Sequence, residues 1–127
     1  MSIASSTDLI HWNNTDWICL KSDTEIIGLK RVQLLQKKIG NQQVAKKIAG
    51  QYWMYFVHTN SYMASSTDLI HWEPEVNEEN GALISVLYPR KGFFDSRLVE
   101  SGPYAIYTEN GIALIYNASN AANFNGQ

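Results

Sequence analysis

The sequence predicts an all-β fold of antiparallel β-propeller blades, and three observations carry that reading. The nonapeptide Ala-Ser-Ser-Thr-Asp-Leu-Ile-His-Trp stands at residues 4–12 and again at residues 64–72. Short β-branched and aromatic runs alternate with turn-forming residues along the chain, and no clear helical segment separates them. A tight turn that recurs after 60 residues fits repeated β-meanders stacked as blades. A β-sandwich is the alternative, and an identical turn at a fixed period favours the propeller. Residues 1–127 read as a single partial domain of about two blades, begun in the middle of a unit.

Residues 1–6 look like the last strand of a blade. In each nonapeptide, Ser-Ser-Thr-Asp is turn chemistry, because short oxygen-bearing side chains bond backbone N–H groups one or two residues on. Asp8 and Asp68 are thereby committed to turns, and His11 and His71 read as packed or hydrogen-bonded scaffold groups. Trp12 and Trp72 are placed to pack under a sheet. Residues 13–16 read as a polar turn leading to a short strand at 17–20, which includes the only cysteine, Cys19. Over residues 26–48, Leu29, Val32, Leu35 and Ile39 come close to helical spacing, but Gly40-Asn41 is a hairpin signal and 44–48 alternates, so two strands are expected.

Residues 52–57 form an aromatic strand suited to the centre of a sheet. Thr59-Asn60 turns it and residues 61–65 return antiparallel. Glu73, Pro74, Glu75, Glu78 and Glu79 mark an exposed loop over 73–80 that hinges at Asn80-Gly81, and 82–88 is strand-like. Residues 89–97 mix charge, glycine and aromatic rings more densely than any other stretch. Strands at 104–108 and 112–116 flank Glu109-Asn110-Gly111, where Asn-Gly suits the positive φ values of a type I′ turn. The tail over 117–127 is small and polar and is expected to end without closing a further strand.

The chain has 127 residues, a formal net charge of -2 and one cysteine. No sequence-wide basic field exists to hold a nucleic acid or an anionic membrane, and neither partner is expected. The apolar runs fall short of a bilayer span. An intrachain disulfide is impossible, and no apolar run after Met1 resembles a signal sequence, so a cytoplasmic protein is expected. Four Trp, seven Tyr and four Phe suit β-sheets and also sugar sites, where flat rings stack on the apolar faces of sugars.

Four stretches in order resemble glycoside hydrolase family 130. They are Gly50-Gln51-Tyr52-Trp53-Met54-Tyr55-Phe56, the second nonapeptide, Arg90-Lys91-Gly92-Phe93-Phe94-Asp95-Ser96-Arg97-Leu98-Val99-Glu100, and Gly111-Ile112-Ala113-Leu114-Ile115-Tyr116-Asn117. The resemblance implies a five-bladed β-propeller and the chemistry of β-mannoside phosphorylases and β-mannosidases, with a β-mannoside or manno-oligosaccharide as ligand. It implies that Lys47 and His58 help hold phosphate, and that Arg90 and Asp95 lie near the sugar. A local Arg90–Asp95 ion pair and an ordinary solvated Lys47 are the plain alternatives. No metal or organic cofactor is implied, and inorganic phosphate would be a co-substrate.

The sequence also departs from the family. Thr59 follows His58 where a basic residue is usual, which tilts the reading toward hydrolysis. The family's general acid lies in a Gly-x-x-Asp-Pro-Arg type motif, and this sequence has none. Three functions therefore stand: part of a mannoside phosphorylase or mannosidase, a sugar-binding protein without catalysis, or a self-associating piece of a propeller. Blade faces bearing Trp12, Trp53 and Trp72 are expected to meet solvent and to drive homo-oligomerisation.

Overall fold

The computed structural model describes residues 3–5, 8, 10–11, 13–15, 20–21, 26–27, 32–57 and 60–120. All regular elements among them are strands: β1 (Ile3–Ser5), β2 (Asn13–Thr15), β3 (Leu20–Lys21), β4 (Ile26–Ile27), β5 (Val32–Ile39), β6 (Gln42–Ala45), β7 (Lys47–Ile48), β8 (Gln51–Val57), β9 (Ser61–Ser66), β10 (Glu73–Pro74), β11 (Ser85–Leu87), β12 (Leu98–Thr108) and β13 (Gly111–Ser119). The expectations for Trp12, Cys19 and His58 lie outside the described residues.

β5, β8, β9 and β10 form one antiparallel blade, with β11 continuing the outer edge on β9. β12 runs parallel to β5 at Ala105↔Leu35 and Ile106↔Gln36, and β13 returns antiparallel to β12. Parallel neighbours joined only by antiparallel hairpins are what the inner strands of adjacent propeller blades must be. The fold is therefore the expected all-β one, an open run of blades.

The aromatic run in β8 is apolar on both faces because both faces are covered. Met54 and Phe56 join Ala64 and Trp72 in one cluster. Tyr55, one residue out of step, packs with Leu35 and Ala105 on the side of the next blade, and Trp53 lies against that second cluster. Trp72 is buried and Trp53 half-buried, so these rings do not supply the solvent-facing patch expected of them. Indole N–H groups find partners on the Leu69 and Ile48 carbonyls.

The two nonapeptides fold alike. Ser5↔Asn13 and Ala4↔Asn14 in β1–β2 repeat as Ser65↔Glu73 and Ala64↔Pro74 in β9–β10. Residues expected as a turn (13–15) and as a loop (73–74) are thus short edge strands in both copies. The turn pulls the chain straight back onto the strand before it, and Pro74 is tolerated because an edge position needs no inward N–H.

The Gly40-Asn41 hairpin is present, and β5 and β6 replace any helix over 32–45. At the other hairpins the turn chemistry differs from expectation. Ala49 and Gly50 both have positive φ (52° and 81°) between the paired Ile48 and Gln51, the pattern of a type I′ turn. The turn between β12 and β13 instead centres on Glu109-Asn110, since Thr108 pairs with Gly111 and only Gly111 has a positive φ there. Thr108 Oγ1 shapes it by accepting from the Asn110 N–H and donating to the Gly111 carbonyl. β13 also runs on through Asn117 to Ser119, so the tail lengthens the sheet.

Between Ser101 and Ala105 the β12–β13 ladder slips. Gly102 sits so close to β13 that an added Cβ would lie 2.2 Å from the Ile115 carbonyl oxygen. Gln33, from β5 of the neighbouring blade, fills the gap: its Nε2 donates to the carbonyls of Tyr104 (2.8 Å) and Ile115 (2.9 Å). Gln33 is 2% exposed, so these carbonyls have a partner where water is excluded.

Candidate functional site

The segment between β11 and β12 carries the candidate site. Two compact turns shape it, with the Phe93 N–H donating to the Arg90 carbonyl and the Ser96 N–H donating to the Phe93 carbonyl. Gly92 provides the positive φ (84°) that the first bend needs. The result turns Asp95 inward and leaves Phe93 and Phe94 outside, 57% and 60% exposed.

Asp95 is fully buried and its carboxylate is held from three sides. Arg90 Nε lies 3.2 Å from Oδ1 and 2.9 Å from Oδ2, and Arg90 Nη2 lies 2.9 Å from Oδ2. Tyr116 Oη, arriving from β13, donates to Oδ2 at 3.1 Å. Burial pushes the Asp95 carboxyl up, but the hydrogen bonds from Arg90 and Tyr116 and the charge of Arg90 outweigh it, and the net shift is downward. The Tyr116 hydroxyl is raised, by burial first and then by the adjacent carboxylate. At neutral pH the cluster is an aspartate, a guanidinium and a neutral phenol.

Arg90 remains 45% exposed. Its guanidinium carbon lies 4.8 Å from the centre of the Phe93 ring and 5.6 Å from that of Phe94, and Phe94 stacks on Tyr116 at 6.2 Å. Such cation–π contacts fix the plane of the fork. The arrangement presents one oriented cation and two exposed rings at the surface, while the carboxylate stays inside.

Arg90 and Asp95 thus form the local ion pair that the sequence reading held as the plain alternative. Tyr116 is the member that residue-by-residue reading left without a role, although the resemblance spans it. Lys47 is exposed in β7 and stands over the Tyr52 ring at 4.6 Å. Its neighbour Lys46 points to the other side, over Tyr107 at 5.3 Å. His58 lies outside the described residues. The Asp–His turns are surface structures: His11 Nδ1 is 2.6 Å from Asp8 Oδ2 and His71 Nδ1 is 2.7 Å from Asp68 Oδ2. No group of acidic, histidine and cysteine side chains suited to a metal occurs among the described residues, and no helix there is long and apolar enough to cross a membrane.

Residues 1–125 match the family profile described as beta-1,4-mannooligosaccharide phosphorylase. A glycosyl hydrolase from Bacteroides ovatus superimposes with a TM-score of 0.84 at 39% identity, over 96% of this chain and 34% of that one. A putative glycoside hydrolase from Parabacteroides distasonis gives 0.83 at 39% identity, over 94% of this chain and 35% of that one. A third structure, at 0.84 and 40% identity over 96% and 34%, comes from work on mannoside phosphorylases and on glycoside hydrolases that target beta-1,2 mannosidic linkages in Candida mannan. No curated protein matches. The chain thus spans 34% to 35% of the length of these solved structures.

Proposed function

Because the chain belongs to glycoside hydrolase family 130, we propose that it recognises a β-mannoside or manno-oligosaccharide through the segment between β11 and β12. The observation that carries this reading is a wholly buried Asp95 that occupies two nitrogens of a half-exposed Arg90. The half-exposed guanidinium of Arg90 faces solvent on one side, where it can donate to sugar hydroxyls, and Phe93 offers a ring for the apolar face of the sugar. Asp95 acts by holding Arg90, with Tyr116 as its second support. Lys47 and His58 are the residues that would hold phosphate in a phosphorolytic reaction.

Cleavage needs a carboxylic acid to protonate the leaving oxygen and a nucleophile, phosphate or activated water, at the anomeric carbon. Asp95 is ill suited to that acid role, being ionised, saturated with donors and out of reach. Glu73, Glu78 and Glu79 are exposed, and Glu75 accepts from Ser65 Oγ. None of these five described carboxylates is placed to serve as a general acid, a group whose loss forfeits ~10²–10⁴ in rate, and the reading offered for this chain is binding. Titration calorimetry with β-1,4-mannobiose tests the binding claim: affinity should be measurable and fall in Arg90→Ala. Absence of binding in the parent would remove the site. Release of mannose or mannose 1-phosphate by the parent chain would show that an acid is present after all.

A further inference from the structure

Four side chains at the site form a closed circuit. Arg90 grips Asp95 through Nε and Nη2, and Asp95 Oδ2 accepts from Tyr116 Oη at 3.1 Å. Arg90 also lies 5.6 Å from the centre of the Phe94 ring, and Phe94 stacks on Tyr116 at 6.2 Å with 26° between the planes. Two routes thus lead from Tyr116 to Arg90, one polar and one aromatic. Arg90, Phe94 and Asp95 all belong to the segment between β11 and β12, and Tyr116 alone of the four comes from a strand.

That strand is fixed on both sides of Tyr116. The Ile115 carbonyl accepts from Gln33 Nε2 of the neighbouring blade, Tyr116 itself pairs with Ser101, and the Ser119 carbonyl accepts from the Arg97 N–H. Arg90, by contrast, is long and 45% exposed, and ordering such a side chain costs entropy. Asp95 can aim the fork only while its own carboxylate plane is held, and the Tyr116 hydroxyl holds it at Oδ2. Phe94 can back the guanidinium only while its ring stays in place, and the Tyr116 ring holds that.

We propose that Tyr116 is the positioning residue of this site: its hydroxyl sets Asp95, its ring sets Phe94, and through both it aims the Arg90 fork without touching the ligand. The proposal rests on the β-mannoside reading only for the identity of that ligand. A fork already aimed loses less freedom when it takes a hydroxyl, so pre-organisation appears as affinity.

Two variants separate the routes: Tyr116→Phe removes the hydroxyl and keeps the ring, and Tyr116→Leu removes both. NMR follows the Asp95 carboxyl carbon, the Phe94 ring protons and the Arg90 Nε–H, with no sugar present. The groups that act on Asp95 are Arg90, from its own segment, and Tyr116, from β13. Loss of the phenol donor destabilises the ionised form, so the Asp95 midpoint should rise in both variants. The Arg90 Nε–H should exchange with water faster in both. The Phe94 signals should stay in Tyr116→Phe and move in Tyr116→Leu, a split that general loosening of the fold would not give. Affinity for β-1,4-mannobiose, from titration calorimetry, should fall about twofold to tenfold in Tyr116→Phe and further in Tyr116→Leu, with β-sheet circular dichroism unchanged. An unmoved Asp95 midpoint in Tyr116→Phe overturns the proposal, as does unchanged Arg90 Nε–H exchange or full affinity in Tyr116→Leu. A parent that binds no mannobiose removes the sugar reading, and the sugar-free signals still decide whether Tyr116 positions Arg90.

Discussion

Asp68 Oδ2 lies 2.7 Å from His71 Nδ1, while Oδ1 of the same carboxylate accepts from the backbone N–H groups of Ile70 and His71, at 2.8 Å each. Asp8 repeats all three bonds with Ile10 and His11. The His71 ring first, then these backbone donors, hold the Asp68 carboxyl far below its ordinary value. Asp68→Ala should lower the melting temperature more than His71→Ala, since the ring is one of four partners, the Ser66 hydroxyl being the fourth. An equal drop in the two variants would show that the backbone bonds contribute nothing.

Asp95 has a distinct acid signature. Its folded pKa is lowered, so its contribution is complete above the usual carboxylate range and is lost as pH falls through the lowered value. Asp95→Asn should flatten the acid limb of the stability curve, read as urea midpoints from neutral pH downward. An unchanged acid limb would mean that the carboxylate is not held as described.

Gln33→Leu keeps roughly the volume of the side chain but strands the Tyr104 and Ile115 carbonyls in a buried gap. At ~1–3 kcal/mol for each of the two unsatisfied groups, the expected loss is about 2–6 kcal/mol in urea unfolding. A loss below about 1 kcal/mol would indicate that the carbonyls find other partners.

Gly102→Ala pushes a methyl group into the Ile115 carbonyl, and backbone cannot swing aside as a side chain does. We expect a cost of about 1–3 kcal/mol or more, with chemical-shift changes concentrated in β12 and β13. Neutral behaviour would argue against so close an approach of the two strands.

Ala49 offers the opposite sign. It holds φ 52° in the turn before β8, a conformation that costs an ordinary residue ~1–2 kcal/mol and that asparagine accepts readily. Ala49→Asn should stabilise the chain by about 0.5–1 kcal/mol, measured by the same unfolding assay.

Much of the fold was legible because it is written in local chemistry. The repeated turn, the aromatic β8 and the Gly40-Asn41 hairpin each depend on residues adjacent in sequence. What escaped depends on what lies across space. Asn13 and Glu73 look like loop residues until the turn is seen to fold them back onto Ser5 and Ser65. Asn110-Gly111 carries a strong I′ signal, yet the Thr108 hydroxyl selects a different turn, while the real I′ geometry falls on Ala49-Gly50, where packing of β7 on β8 imposes it. At the site, the sequence marks Arg90 and Asp95, but that one is exposed and the other sealed is decided by Tyr116, reaching in from 21 residues away.

Gln33 also bears on how the protein comes apart. Its side chain belongs to one blade and its two acceptors to the next, so the second blade cannot open there without exposing an amide of the first. Stacked repeats often behave as a row of weakly linked units that melt one after another. A shared buried donor works against this, and makes the two blades lose structure in one cooperative step. Amide protons along β12 and β13 should then exchange with solvent no faster than those at the centre of β8.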